Sequence, residues 1–433
     1  MFTRRQALMS SLFGVGYVGL RALATGLPVG LLLDPRRALA NPPTGSGKAQ
    51  YVIFMTSGLG DPINASSPGS YIPGVLNTPG GTTTLTLGGK SYQAGAAWAG
   101  FPTANTSFWH IMTNTPVHPK EPQVLSLMDA TANNEMLPSL LAKQTAPALG
   151  TIQQEPVCIG ALSPSEGLTY DGNALPIIPA LALKDTLANP AGPLTTPLQG
   201  LRDQTLDSLY GIYKDEATPE QKSYIDSLVT SQKQLRELNL SLLDNLSQIT
   251  DNTPASQILA AVTLFQMNIC PVVSIHVPFG GDNHSDTNLA TEQSETQSGV
   301  QTLVSLLGLL QKNKLQDRVS IISLNVFGRT LAASTSQNGR QHNPNHQVSI
   351  VIGKPFKSGV VGGLDSQMIG GDYGCLSVDP STGAGTTSTG SGMIAPIDTL
   401  AAFGQTMLAA MGASASSAAQ SVLGGQVVTG ALA

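Results

Sequence analysis

Charged residues make up only 11% of this chain, 22 basic against 27 acidic, and no basic run longer than an arginine pair occurs in it. A protein that tracks a nucleic-acid backbone needs a clustered positive surface, so that class of partner is excluded. Cysteine is almost as sparse: Cys158, Cys270 and Cys375 stand far apart. No Cys-x-x-Cys pair is present to hold a metal, and at most one disulfide can form with a thiol left over. Alternatively, all three are small buried apolar residues. Beyond the N-terminal region no apolar stretch is long enough to cross a membrane.

What is present first is an address. "TRRQALM" (residues 3–9) places paired arginines ahead of a weakly apolar stretch, 11–33, and "RALA" (37–40) offers a small-x-small cleavage site before Asn41. This resembles a twin-arginine export signal, removed on processing. Arg21 within the stretch, together with its Gly and Pro content, argues against a retained anchor. The expected partner is the twin-arginine translocase, which carries folded cargo, and the expected location is periplasmic or secreted. Loss of residues 1–40 removes five arginines and one aspartate, leaving a net charge near −9. Residues 41–433 are then long enough to bury a large core as one elaborated domain.

Along that domain, "YVIFM" (51–55) is an uninterrupted apolar run that breaks into a Gly/Asp/Pro/Asn loop, the pattern of a strand buried on both faces. Residues 74–105, rich in Gly, Thr and Asn, suggest a β excursion, and "PVCIGAL" (156–162) a second strand. The strongest helix signal starts at Thr218, with Pro219 at the first helical position and Gln221 completing a capping box. A helix over 256–268, a strand over 271–278, a helix over 291–312 and a strand over 319–327 follow in βαβ order. That order predicts an α/β fold with a doubly wound, mostly parallel sheet and helices on both faces. Residues near 366–394 are expected to be a flexible loop, and "PIDTLAAFGQTMLAAMG" (396–412) a last helix.

Ligands of open parallel sheets bind beyond the carboxyl ends of the strands. Here the first strand delivers Asp61 and Asn64, the third delivers Asp282, His284 and Asp286, and the next delivers Asn325, Arg329 and Thr330, followed by Arg340, His342 and His346. Carboxylates and imidazoles converging from separate strands are what a zinc-type or manganese-type ion needs, and arginines beside them could clamp an anion. Asp61 in a Gly-Asp-Pro turn and Asp282 at a strand end also have ordinary uses as turn residues. His110 and His118, in "FWHIMTNTPVHPKEP", could join from an insertion loop.

"FMTSGLGDPIN", "FGGDNHSDTN", "NVFGRT", "GRQHNPNHQVSIVIGKPFKSGVVGG" and the closing helix, taken in order, resemble the exported family called domain of unknown function 1501, of the alkaline-phosphatase-like superfamily. The likeness runs from residue 3 to about 413 and is densest over 256–363. It implies an α/β fold with a bimetal centre at the sheet's carboxyl edge, with Asp61, Asp282, His284 and His342 as metal ligands; Arg329, Arg340 and Asn64 are the anion-binding candidates beside it. It also implies hydrolysis of a phosphate or sulfate ester. Two acidic groups of the family pattern are replaced, by Val326 and by Gln341, so a single divalent ion is expected rather than two. A hydroxyl nucleophile at a helix N-terminus is required for such chemistry; Thr113, Thr115, Ser163 and Ser165 are the candidates, none singled out. The alternative is a catalytically degenerate member serving as a binding or envelope-assembly protein.

Overall fold

In the computed structural model of the chain the described residues are 49–56, 59–149, 154–160, 167–188, 196–219, 240–268, 270–336 and 338–433, with scattered positions between 220 and 239. The expected export segment and the hydroxyls of residues 163 and 165 lie outside them, as does most of the helix expected from Thr218.

Seven strands build the central sheet: β1 (Gln50–Met55), β2 (Thr106–Ile111), β3 (Val157–Cys158), β4 (Val272–His276), β5 (Val319–Leu324), β6 (Gln347–Ile352) and β7 (Gly359–Val361). They lie side by side in the order β7-β2-β6-β5-β1-β4-β3. β1 is parallel to β4 and β5, β3 to β4, and β7 to β2, whereas β6 runs against both its neighbours. The result is a mixed α/β molecule with a mostly parallel sheet.

The continuous apolar run of β1 is explained by what covers it. Side chains alternate across a strand, so Val52 and Phe54 enter one apolar cluster while Tyr51, Ile53 and Met55 enter another. Of the longer helices, α2 is Leu137–Leu149, α3 Thr196–Glu216, α4 Pro254–Gln266, α5 Ala290–Lys312 and α6 Thr399–Ala409; the short α1 is Ile63–Ser66. Ile258, Leu264 and Phe265 of α4 and Leu303, Leu306 and Leu310 of α5 share the first cluster; Leu137 and Leu141 of α2 and Phe403 and Met407 of α6 share the second. Each such side chain, fully buried, contributes about 1.5–3 kcal/mol. Neither face of the sheet could be left to water.

Three features depart from the expectations. β2, β6 and β7 are sheet strands, although nothing in the apolar pattern of their segments marks them as such. Residues near 366–394 are not a bare flexible loop: Leu364–Ile369 pairs antiparallel with Asp372–Cys375, and Ser377–Val378 with Gly385–Thr386. α3 also lies ahead of the expected helix start, although Lys222 N does donate to the Thr218 carbonyl at 2.8 Å. The β excursion is present as the hairpin Thr82–Leu87 and Lys90–Gly95. Its two-residue turn, Gly88 and Gly89, has φ of +57° and +78°, which glycine adopts without strain.

The reversed strand matters for the site. Because β6 starts where β2 ends, Gln347 facing Ile111, the segment leading into it reaches the same rim as the segments leaving β1, β4 and β5. No helix among the described residues is long and apolar enough to cross a membrane.

Candidate metal centre

Four segments meet at that rim. The chain leaving β4 turns through Gly280 to reach Asp282 and His284. The chain leaving β5 forms a two-residue strand, Gly328–Arg329, paired antiparallel with His342–Asn343, so that Arg329 lies opposite His342. The chain leaving β2 brings Pro116 and His118. The chain leaving β1 brings Leu59, Gly60 and Asp61. Gly339 lets two of these segments touch: at φ +107° a Cβ there would stand 2.2 Å from the His284 carbonyl oxygen, so no larger residue fits.

Three imidazoles converge in consequence. One ligand atom from each of His118, His284 and His342 lies within 4.8 Å of the others, and each residue is part-exposed. His284 Nε2 is 2.9 Å from His342 Nε2 and 3.1 Å from Asp282 Oδ1. Bonds of about 2.0–2.1 Å to a tetrahedral zinc-type ion set its nitrogens roughly 3.3 Å apart, close to this spacing. Phe327, wholly buried, floors the cluster, its ring centroid 4.3 Å from that of His342 and 5.3 Å from that of His118.

The donor chemistry fits a cation. His342 Nδ1 lies 2.5 Å from the Pro116 carbonyl oxygen, so that nitrogen carries the proton and Nε2 keeps its lone pair. His118 hydrogen-bonds the Leu59 backbone while its buried Nδ1 has no hydrogen-bonding partner; Nε2–H is therefore the donor and Nδ1 the free lone pair. A metal-binding histidine characteristically gives its second N–H to a carbonyl in this way. Burial, chiefly, also lowers the pKa of His118 and His342, against Asp282 at the first and the Pro116 hydrogen bond at the second. Near neutral pH both rings offer lone pairs rather than positive charge. The group can hold a metal ion.

Asp282, His284 and His342, expected as ligands, are thus together, joined by His118. Asp61 is not part of the group. It is wholly buried at the start of α1, where Oδ1 accepts from Ile63 N at 2.9 Å. Burial pushes its carboxyl up to about 7, against the Thr56 hydroxyl, the Ile63 N–H and the Arg329 charge.

The three expected anion-binding residues are all sealed in. Arg340 forms a buried two-point pair with Glu292, Nε to Oε2 at 2.6 Å and Nη2 to Oε1 at 3.0 Å, and spends its other N–H groups on the Thr330 and Leu76 carbonyls. Asn64 grips the Arg329 peptide from both sides, Nδ2 to the carbonyl at 2.8 Å and Oδ1 from the N–H at 3.0 Å. The Arg329 guanidinium has no exposed surface; Nη2 donates to the Leu59 and Gly60 carbonyls at 2.6 and 3.2 Å and lies 3.4 Å from Asp282 Oδ1, while Nη1 lies 3.4 Å from His284 Nε2. It is a fixed charge beneath the cluster, not an open clamp. Val326 is buried in an apolar cluster.

A second histidine pair lies deeper. His110 Nδ1 is 2.8 Å from His346 Nε2, His110 Nε2 is 2.9 Å from the Pro68 carbonyl oxygen, and Asn64 Nδ2 is 3.3 Å from His346 Nδ1. Only one proton arrangement satisfies this row: Asn64 donates to His346, His346 to His110, and His110 to Pro68. Both rings are neutral. Burial drives the His110 pKa down to about 4 and that of His346 well below its ordinary value. Folded pKa values below the unfolded ones mean that the unfolded chain takes up more protons below about pH 6.5. The stabilisation is full above that pH and is lost as pH falls through about 4, by about 3 kcal/mol for His110 alone. Urea titrations at stepped pH should record this decline, and H110Q/H346Q should flatten it; an unchanged slope in the double variant would refute the assignment.

In the sequence, His118 and His110 are equally placed to join the site from an insertion loop. The signal that separates it from His110 is position: His110 lies within the strand, whereas His118 lies beyond its end. Comparison with protein-family models, with curated proteins and with solved structures gives no match.

Proposed function

We propose that this chain is an exported protein of the alkaline-phosphatase-like kind, with one divalent ion of zinc or manganese type at His118, His284 and His342, acting on a small phosphate or sulfate ester. The convergence of three imidazoles and Asp282 at the carboxyl edge of a mostly parallel sheet is the observation that carries this reading. The order of the motifs along the chain supports the superfamily, and the paired arginines with the small-x-small site support translocation by the twin-arginine route to the periplasm or beyond.

A bound ion there would supply Lewis-acid polarisation of an ester oxygen. The protein's own contribution is to present neutral ring nitrogens, oriented by the Pro116 and Leu59 carbonyls, above an apolar floor. Asp282 Oδ1 lies 3.1 Å from His284 Nε2, beside the group but outside the set of three mutually close ligand atoms. Elemental analysis of the exported protein should find about one equivalent of transition metal, lost in H342A, and the loaded protein should turn over generic aryl phosphates or sulfates. Absence of metal would end this reading.

Metal without turnover would favour the second reading, a binding or envelope-assembly protein that retains the centre. Val326 and Gln341 in place of acids, and a guanidinium closed to solvent, are the observations on that side.

A further inference from the structure

Two large apolar side chains stand exposed at the mouth of the histidine cluster. Leu59 is 42% and Val117 46% exposed. Each is carried by backbone that orients an imidazole. The Leu59 carbonyl accepts from Arg329 Nη2 at 2.6 Å, and the Leu59 backbone is also the hydrogen-bond partner of His118. Val117 is bracketed by His118 and by Pro116, whose carbonyl meets His342 Nδ1, and its own carbonyl accepts from Lys120 N at 3.1 Å. Pro116 and Pro119, both exposed, stiffen the backbone on either side.

The surroundings of the cluster are lopsided. Apart from His118, residues 113–119 carry no ionisable side chain, whereas His284 and His342 are neighboured along the chain by the exposed Asp282, Ser285 and Gln341. A cation on the three rings therefore has an apolar collar on the His118 side and polar groups on the other. Exposed aliphatic residues scattered singly need no explanation. Here two of them lie one residue, or one hydrogen bond, from the same ring. An apolar wall beside a few convergent polar groups is how small-molecule sites are built.

We infer that the molecule held at the centre carries an uncharged apolar group, an alkyl chain or a ring, that seats on Leu59, Val117 and the two prolines. These residues then determine specificity. The inference rests on the metal reading above and adds to it the chemistry of the part that the ion does not touch: the alcohol portion of the ester is apolar, not a sugar or another polyol.

The test is calorimetric titration of the Zn²⁺-loaded full chain with acetohydroxamate and with hexanohydroxamate, which offer the ion the same chelating group and differ only in alkyl length. A fully buried methylene is worth roughly a fourfold gain, so the longer chain, lying against the collar, should bind at least tenfold more tightly. Competition from zinc chelation in solution is the same for both and cancels in the ratio. L59S/V117S should bind the two alike. Equal affinities in the native protein, or zinc uptake with neither hydroxamate bound, overturn the collar while leaving the metal centre intact; a preference that survives in L59S/V117S overturns its assignment to these side chains. No zinc uptake removes the metal reading and this inference with it. If the double variant does not fold, the two native titrations still decide.

Discussion

R340M should lower folding stability by about 3–5 kcal/mol, the loss typical of breaking a buried ion pair by removing one partner. Arg340 and Glu292 are both fully buried, and the guanidinium meets the carboxylate through two of its nitrogens. Without Arg340, Glu292 keeps Thr78 at 3.4 Å and Asn283 at 2.9 Å as partners, but its charge has no counterpart. The loss spreads, because the Thr330 and Leu76 carbonyls also lose their donor. R340M/E292L should recover part of the deficit by removing the stranded charge, though not the carbonyl bonds. Urea denaturation of the native, single and double variants measures this. A single variant within 0.5 kcal/mol of native would show that the pair is not a strut.

D61N should remove a pH dependence of the opposite sense to that of the histidine pair. The Asp61 carboxyl is raised to about 7 in the fold, against about 3.9 in an unfolded chain. Between those values the folded state holds the proton and the unfolded state does not. Stabilisation from this group is therefore full below about pH 4 and is lost as pH rises through about 7, amounting to about 4 kcal/mol. Asparagine keeps an oxygen for the Ile63 N–H and does not titrate. The difference in unfolding free energy, D61N minus native, should climb by about 4 kcal/mol from pH 4 to pH 8, with the histidine contribution cancelling between the two proteins. A flat difference would mean that Asp61 ionises normally.

These two residues illustrate what the sequence discloses. The strands of the parallel core were legible because burial on both faces leaves a continuous apolar run, as in "YVIFM", and the polar residues ending those runs do gather at one rim. Asp282, His284 and His342 could be placed on that logic. β2 and β6 were not legible. "TSFWHI" and "QVSIVI" carry serines, a histidine and a glutamine in fully buried strands, and the His110 ring among them is satisfied by partners far along the chain, His346 and the Pro68 carbonyl. The roles of Arg329, Arg340 and Asn64 were misjudged for the same reason. An arginine near a cluster of donors looks like a clamp until its partners are known, and these lie 270 and 48 residues away, at Leu59 and Glu292. Nothing local distinguishes a sheathed guanidinium from an open one.

The place of β6 in the sheet has a consequence for assembly. It is the strand that joins β2 and β7 to the β5, β1, β4 and β3 group. His118 follows β2 on one side of that junction, His284 follows β4 on the other, and His342 lies on the segment that threads in between. The three imidazoles therefore share one rim only because β6 is paired on both of its edges, to β2 and to β5.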